Sequence, residues 1–470
     1  MSSPFNEEKY KALLEGLEIS EVWLHKLNDE LRIDAEYYQK EYLFEDSSLL
    51  KFKIDLLGNH SFVTDGQHGY YEADPNSNIR MLAARNCKDY FANTIDSLPL
   101  AKWVDDKNKR SSLQSGDIIL STRGSVGCCA IVYEEVLPAN INQDVARIKL
   151  LNTNDFIPEF VITYLNCRYG QHWMTRNQTG MVQQGLPLDK VRSIPIPFLE
   201  KSFQIKIKEI VKSAHFNIQH SKSLYSEAED ILLSELGLSG WQPNNNPVNI
   251  KQLKESFLAS GRLDAEYYQS KYDDLFAQLS KYECGIIKNV AHIKKSVEPG
   301  SEAYQDEGIP FVRVSDVTKF GISDPSIFLS PNDFDLKELQ PKKNTILLSK
   351  DGSVGIAYKV EKDMDCITSG ALLHLSIFNE EYNPDYLTLV LNSIVVQMQA
   401  ERDSNGAIIQ HWKPSEIEQV IIPKLPKPIQ DTISAKIQES FALKAESKRL
   451  LDEAKMMVEK EIENQEIETK

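Results

Sequence analysis

The sequence predicts an α+β chain in which two mixed α/β domains are joined by a pair of long antiparallel helices, a coiled-coil spacer, with an internal pseudo-twofold repeat. Three observations predict it. RIDAEYYQKEY at 32–42 returns as RLDAEYYQSKY at 262–272, so Arg32 maps onto Arg262 at an offset of 230 (262 − 32). IILSTRGSVG at 118–127 matches ILLSKDGSVG at 346–355, which aligns Ser121 with Ser349. Two stretches, 200–236 and 427–466, carry apolar residues at three- and four-residue steps, the period of an amphipathic helix.

The elements follow in the same order in each copy. Residues 1–50 read as a helical lead-in that carries the DAEYYQ motif. Residues 51–199 form the first domain, mixed but mainly strand-like, with turn signals at Asp65-Gly66 and Ser115-Gly116. In 200–236, Ile207, Ile210, Ala214, Ile218, Tyr225, Ala228 and Leu232 line one helical face. Such a helix is roughly 55 Å long at about 1.5 Å per residue. Residues 237–280 hold Gly237, Gly240 and the linker WQPNNNPVN, then the second lead-in. Residues 281–426 form the second domain, with turns at Pro299-Gly300 and Asn405-Gly406. In 427–466, Ile433, Ile437, Phe441, Leu450, Ala454 and Val458 repeat the stripe. The two stripes are expected to bury against each other; packing of each helix on its own domain is the alternative. A looser pair closes each domain: NQTGMVQQGLPLDKVRSIPIP from Asn177 against DSNGAIIQHWKPSEIEQVIIP from Asp403. It aligns Gly180 with Gly406, Gln184 with Gln410 and Pro197 with Pro423, and beyond it Gln204 meets Gln430.

Composition narrows the function classes. Hydrophobic residues at 41% and charged residues at 26% are ordinary for a globular chain. No run of 18 apolar residues is present, and the N-terminus lacks a basic stretch followed by an apolar core, so a soluble cytoplasmic protein without a membrane segment is expected. The six cysteines show no C-x-x-C spacing, so free thiols are expected and a zinc site is not. No phosphate loop, H-E-x-x-H, G-x-S-x-G or amino-methyltransferase tetrapeptide occurs. The expectation is a chain that is not an enzyme, with no catalytic, cofactor-binding or metal residues. The net charge of −16 is uneven: about −7 over residues 1–50, +1 over 51–199 and −6 over 281–425.

The DAEYY strings, the strand-turn ending in GSVG, and G-x-x-x-Q followed by a [VI]-P strand and a Gln-bearing long helix together resemble the DNA-specificity subunit of type I restriction–modification systems. The resemblance covers nearly the whole chain, twice and in order. It implies that each domain is a target-recognition domain reading one half of a bipartite double-stranded DNA site. It implies that the helices set the gap between the halves and dock two methyltransferase subunits, beside motor–nuclease subunits. S-adenosylmethionine, ATP and magnesium would then belong to those partners and not to this chain. The heads depart from the pattern in not being basic. Two other readings stand beside this one: the specificity subunit of a type IIB-like fused restriction–methylation enzyme, and a duplicated protein adaptor that does not touch DNA.

Under this resemblance the DNA-binding candidates are polar residues in the variable segments. Arg80, Arg85, Asn86 and Lys88 lie in IRMLAARNCK; Arg313, Ser315, Asp316 and Lys319 lie in the aligned IPFVRVSDVTK. These types suit guanine, adenine or cytosine edges, or else a solvated strand edge. Arg123 and Lys350 precede GSVG, where a cation reaches a phosphate or simply solvates a turn. Gln183, Gln184, Gln410 and His411 follow Gly180 and Gly406 and suit base or backbone contacts, or a loop before a helix. Tyr37, Tyr38, Tyr267 and Tyr268 of the DAEYYQ strings are expected to pack between the helical spacer and each head, or else to meet a methyltransferase.

Overall fold

A computed structural model describes residues 7–27, 31–69, 71–180, 184–244, 246–404, 406 and 410–464. It contains two compact units, Met1–Asn217 with Ala445–Lys470, and Ile218–Lys444, whose boundaries fall inside both long helices. The fold is mixed helix and sheet, and the two units share one topology. In the first unit the main sheet runs Ser61–Asp65, Val145–Leu150, Ile118–Ser121, Cys129–Ile131, all antiparallel neighbours. In the second it runs Ala291–Lys295, Leu372–Ile377, Ile346–Ser349, Ala357–Lys359. Each unit adds a three-stranded sheet with one parallel pair, Arg80–Leu82 on Ala139–Ile141 and Ile309–Val312 on Ile367–Thr368. Each also pairs its first and last strands, Ile54–Leu56 with Pro195–Pro197 and Cys284–Ile286 with Ile421–Pro423.

The strands ILLS and IILS are buried at all four positions, because their sheet is covered on both faces. The helices Pro158–Asn166 and Pro384–Asn392 cover them, each opened by a proline whose missing N–H leaves no bond unmade there.

The long helices span Lys201–Glu235 and Lys427–Asn464. Within the first unit, Ser447 Oγ donates to Ala214 O at 2.7 Å. Within the second, Ser440 Oγ meets Ser221 Oγ at 3.0 Å and Lys436 pairs with Glu227 at 2.7 Å. Index rises on one helix as it falls on the other, so the pair is antiparallel there. The stripes also join the cores of the domains: Ile207, Val211, Ala454, Val458 and Ile462 share one cluster with Phe156 and Phe160, and Ala228, Leu232, Ile433 and Ile437 share another with Tyr386 and Val390. Both expected modes of burial therefore operate together.

Gln204 and Gln430 show how each helix is fixed to its domain. Each is nearly fully buried. Gln204 accepts from Ile157 N at 3.0 Å and donates to Asp155 O and Leu199 O. Gln430 accepts from Asn383 N at 2.9 Å and donates to Glu381 O and Leu425 O.

The lead-ins correct one expectation. The first is helical over Glu7–Leu14 and Lys40–Leu49, but DAEYY itself forms a 3₁₀ turn, Ala35–Tyr38, entered through an extended Asp34. Tyr37 and Tyr267 pair closely with the tyrosines beside them, Tyr38 and Tyr268, at 4.9 Å between ring centroids. Tyr37 and Tyr267 also make cation–π contacts with arginines at the ends of the shorter helices Arg168–Arg176 and Ile394–Asp403. No helix among the described residues is long and apolar enough to cross a membrane. All six cysteines are free, and burial pushes the Cys167 thiol up to about 12 and the Cys366 thiol up to about 11.

Candidate nucleic-acid interface

Each domain gathers several loops at one end of its main sheet. In the first, the buried strand Ile118–Ser121 runs into the turn that ends at Gly127. Gly124 there has φ +78° and its counterpart Gly352 has φ +76°, left-handed backbone that a side chain would strain. Ser121 Oγ donates to Arg123 O at 2.8 Å, and Gly127 N closes on Ser121 O at 3.0 Å. Gln171 of the short helix donates to Gly127 O at 3.0 Å, as Gln397 does to Gly355 O at 2.7 Å.

Backbone hydrogen bonds bring the other loops to this turn. Thr122 N donates to Asp144 O at 2.8 Å, and Leu186 N donates to Thr122 O at 2.9 Å. Thr179 and Gly185 exchange two bonds of 2.8 and 2.9 Å, closing the loop that carries Gln184. Asn142 N donates to Leu82 O at 3.0 Å, which ties the Ala84–Cys87 turn to the same end. The second domain repeats the wiring: Lys350 N to Ala371 O at 2.9 Å, Trp412 N to Lys350 O at 2.8 Å, Ser369 N to Val312 O at 2.8 Å.

The side chains on this shared wiring differ. Arg123 is exposed, 3.7 Å from Asp144. Its partner in the repeat is Asp351, which accepts from His411 Nδ1 at 2.8 Å and from the Lys350 ammonium. Lys350 aligns with Thr122 and is buried at 9% exposure, so it braces the turn and does not present a free cation as expected. Gln184, Gln410 and His411 are exposed on the loop; Gln183 lies outside the described residues.

The Ala84–Cys87 and Val314–Asp316 turns divide their candidates. Arg85 and Lys88 are exposed, and Arg80 is half-buried on its strand. Lys88 stands close enough to Cys128 for its charge to act on that thiol, although burial dominates and pushes the thiol up. Asn86 is buried at 1% exposure; it accepts from Ala83 N at 2.9 Å and donates to Ile95 O at 2.8 Å. Asp316 does the same work, accepting from Arg313 N at 2.8 Å and from Ser315 Oγ at 3.1 Å. Both therefore cap 3₁₀ turns, Asn86 from a buried position and Asp316 from a half-buried one. Arg313 is half-buried and Ser315 exposed beside that cap. Lys319 turns away to Glu229 at 3.0 Å on the first long helix and lies over Tyr225 and Phe320, a structural position.

Two polar residues at this end escape a reading of the sequence, Gln67 and Gln143. Gln67 forms a parallel bridge with Asn142, and Gln143 Oε1 meets Gly69 N at 3.5 Å. Val297 and Gly370 take the aligned places in the second domain, where Val297 bridges Ser369. The signal for them is the contact between two loops distant in sequence, which no local pattern reports.

Among the described residues, one cluster could offer ligand atoms to a metal: Glu41, Glu45 and His172, with atoms within 4.8 Å of one another. His172 Nδ1 already meets Glu45 at 2.9 Å and Arg168 Nε stands 3.1 Å from the same oxygen, so the buried carboxylate has its counter-charge from the protein. Lys271, Leu275 and Met398 fill the aligned positions of the second copy.

Part of the chain is similar to known proteins. The family described as the type I restriction modification DNA specificity domain matches residues 72–229. The type I restriction enzyme EcoBI specificity subunit of Escherichia coli is 24% identical over 173 residues, 36% of this chain and 32% of that protein's own length. Among solved structures, the type I restriction-modification system S subunit from M. genitalium aligns with a TM-score of 0.40 at 14% identity, covering 88% of this chain and 95% of that one. The HsdS subunit from Thermoanaerobacter tengcongensis aligns with a TM-score of 0.30 at 14% identity, over 88% and 97%.

Proposed function

We propose, from a chain whose residues 72–229 match the family described as the type I restriction modification DNA specificity domain, a non-catalytic DNA-specificity subunit of a type I restriction–modification complex. Each domain reads one half of a bipartite site in double-stranded DNA. The carrying observation is the loop-bearing end of each domain: one backbone wiring, two different sets of side chains. Arg123, Gln67 and Gln143 in the first domain give way to Asp351, Val297 and Gly370 in the second, and His411 stands where the first has Gly185, while Gln184 keeps its like in Gln410. Two readers built this way recognise two different sequences. Phosphate contacts would position each domain and base-edge contacts would specify.

The long helices would set the spacing between half-sites, which dimeric readers place about 34–36 Å per duplex turn apart. They would also dock two methyltransferase subunits, joined by motor–nuclease subunits in the cytoplasm. S-adenosylmethionine, ATP and magnesium would be held by those partners. Domains with charges of about +1 and −6 neutralise few phosphates by themselves, so the partners are expected to supply most of that contact.

A gel-shift titration of the chain with its methyltransferase partners tests the proposal. Sequence-selective, salt-sensitive binding is the expected result. Arg123→Ala should then flatten the log–log salt dependence by about 0.9, one phosphate, while Lys350→Met leaves it unchanged. Binding with no sequence preference and no salt dependence would favour the duplicated adaptor instead.

A further inference from the structure

The string repeated most closely in this chain, R-[IL]-D-A-E-Y-Y-Q, has no place at the DNA-contacting ends, yet the two copies adopt one geometry. In the first, Arg32 Nε and Nη2 fork onto the Asp34 carboxylate at 2.8 and 2.5 Å. Its remaining Nη1 donates to the backbone oxygen of Arg176 at 3.0 Å, across 144 residues of sequence. In the second, Arg262 forks onto Asp264 at 2.8 and 2.5 Å and donates to Asp403 O at 3.1 Å. The ring of Tyr37 lies 4.4 Å from the Arg32 guanidinium and 4.9 Å from that of Arg176. Tyr267 lies 4.4 Å from Arg262 and 4.8 Å from Arg402. The forked hydrogen bonds hold the Asp34 and Asp264 carboxyls below the usual range, so both pairs are charged.

The carbonyls that Arg32 and Arg262 reach are the last of the helices Arg168–Arg176 and Ile394–Asp403. Those carbonyls have no partner within their own helix, and a guanidinium there both bonds them and meets the negative end of the helix dipole. The next residue in each chain opens the loop that carries Gln184 or Gln410. The same helices hold the GSVG turns through Gln171 and Gln397. One short helix thus fixes the turn by its middle and the loop by its end.

We infer that Arg32 and Arg262 are positioning residues, which hold the base of the DNA-contacting loop in each domain through a forked carboxylate pair and a tyrosine ring in cation–π contact with two guanidinium groups. The 3₁₀ turn that carries the first copy contains no buried residue. The clamp therefore adds little to the core and much to the orientation of the loop. This inference rests on the DNA-reading role proposed above.

The test is single-molecule methylome sequencing of a host that carries the complete system with the wild-type chain, Arg32→Ala or Arg262→Ala. The wild type should report a bipartite motif; its absence would defeat the DNA-reading role itself, and with it this inference. Given that motif, Arg32→Ala should relax base preference in one half by about tenfold, the worth of a charged hydrogen bond, and leave the other half intact. Arg262→Ala should do the converse. Equal loss in both halves, or unchanged preference in both, would overturn the inference while leaving the DNA-reading role standing. Arg32→Lys keeps the charge but cannot fork; read in the same way, it decides the matter if Arg32→Ala does not accumulate.

Discussion

Arg123 and Lys350 sit one alignment position apart before the same GSVG turn, and that single step separates an exposed cation from a buried brace. Asn86 and Asp316 look alike in the sequence as base readers, yet both are spent on capping a 3₁₀ turn. A side chain three residues beyond an extended backbone position can fold back on it, and only the local backbone shows which residues do so. The buried sheet carries a second contrast. Arg147 pairs with Asp117 at 2.7 Å, both nearly inaccessible. The aligned residue of the second copy, His374, instead bonds Thr368 Oγ1 at 2.7 Å. Burial, helped by Lys294, lowers its pKa from 6.5 to about 4, so it is neutral in the folded chain. An unfolded histidine takes up a proton near pH 6.5. The stability that His374 contributes is therefore complete above that pH and is lost as pH falls from 6.5 to about 4, by up to about 3 kcal/mol. Thermal melts of wild type and His374→Gln across pH 4 to 8 should diverge below pH 6.5, with the variant the flatter; parallel curves would refute it.

At the scale of elements, the sequence was most informative where one residue has one job. The long helices run over Lys201–Glu235 and Lys427–Asn464, where a stripe at three- and four-residue steps has few other solutions. Gln204 and Gln430 align and make the same three hydrogen bonds, a role that the repeat marks but does not explain. The DAEYYQ string was legible as a repeat and not as a clamp, since its partners lie 144 and 141 residues away. Gln67 and Gln143 were invisible for the same reason. The helix pair is held close by small buried residues: Ala228 is fully buried, with Ser221 and Ser440 bonded nearby in the same domain. Ala228→Leu should overpack that contact and cost about 1–3 kcal/mol in urea denaturation, with the helical circular dichroism signal retained. A neutral result would mean the helices have room to separate there.

At the scale of the molecule, duplication keeps what holds loops in place and varies what the loops carry. Sheet order, glycine turns, glutamine anchors and arginine clamps recur, while at the loop-bearing ends Arg123 gives way to Asp351, Gln67 to Val297 and Gln143 to Gly370, with Gln184 and Gln410 alike. The overall charge of −16 argues against a free DNA-binding protein; under the proposed function, partners would bring the phosphate contacts and leave sequence discrimination to a few polar groups. The measurement that tests this most directly is an exchange of residues 51–199 for the corresponding domain of a relative, followed by methylome sequencing of the host. A motif altered in one half and preserved in the other is the predicted result. A motif altered in both halves, or in neither, would contradict the reading of two independent heads.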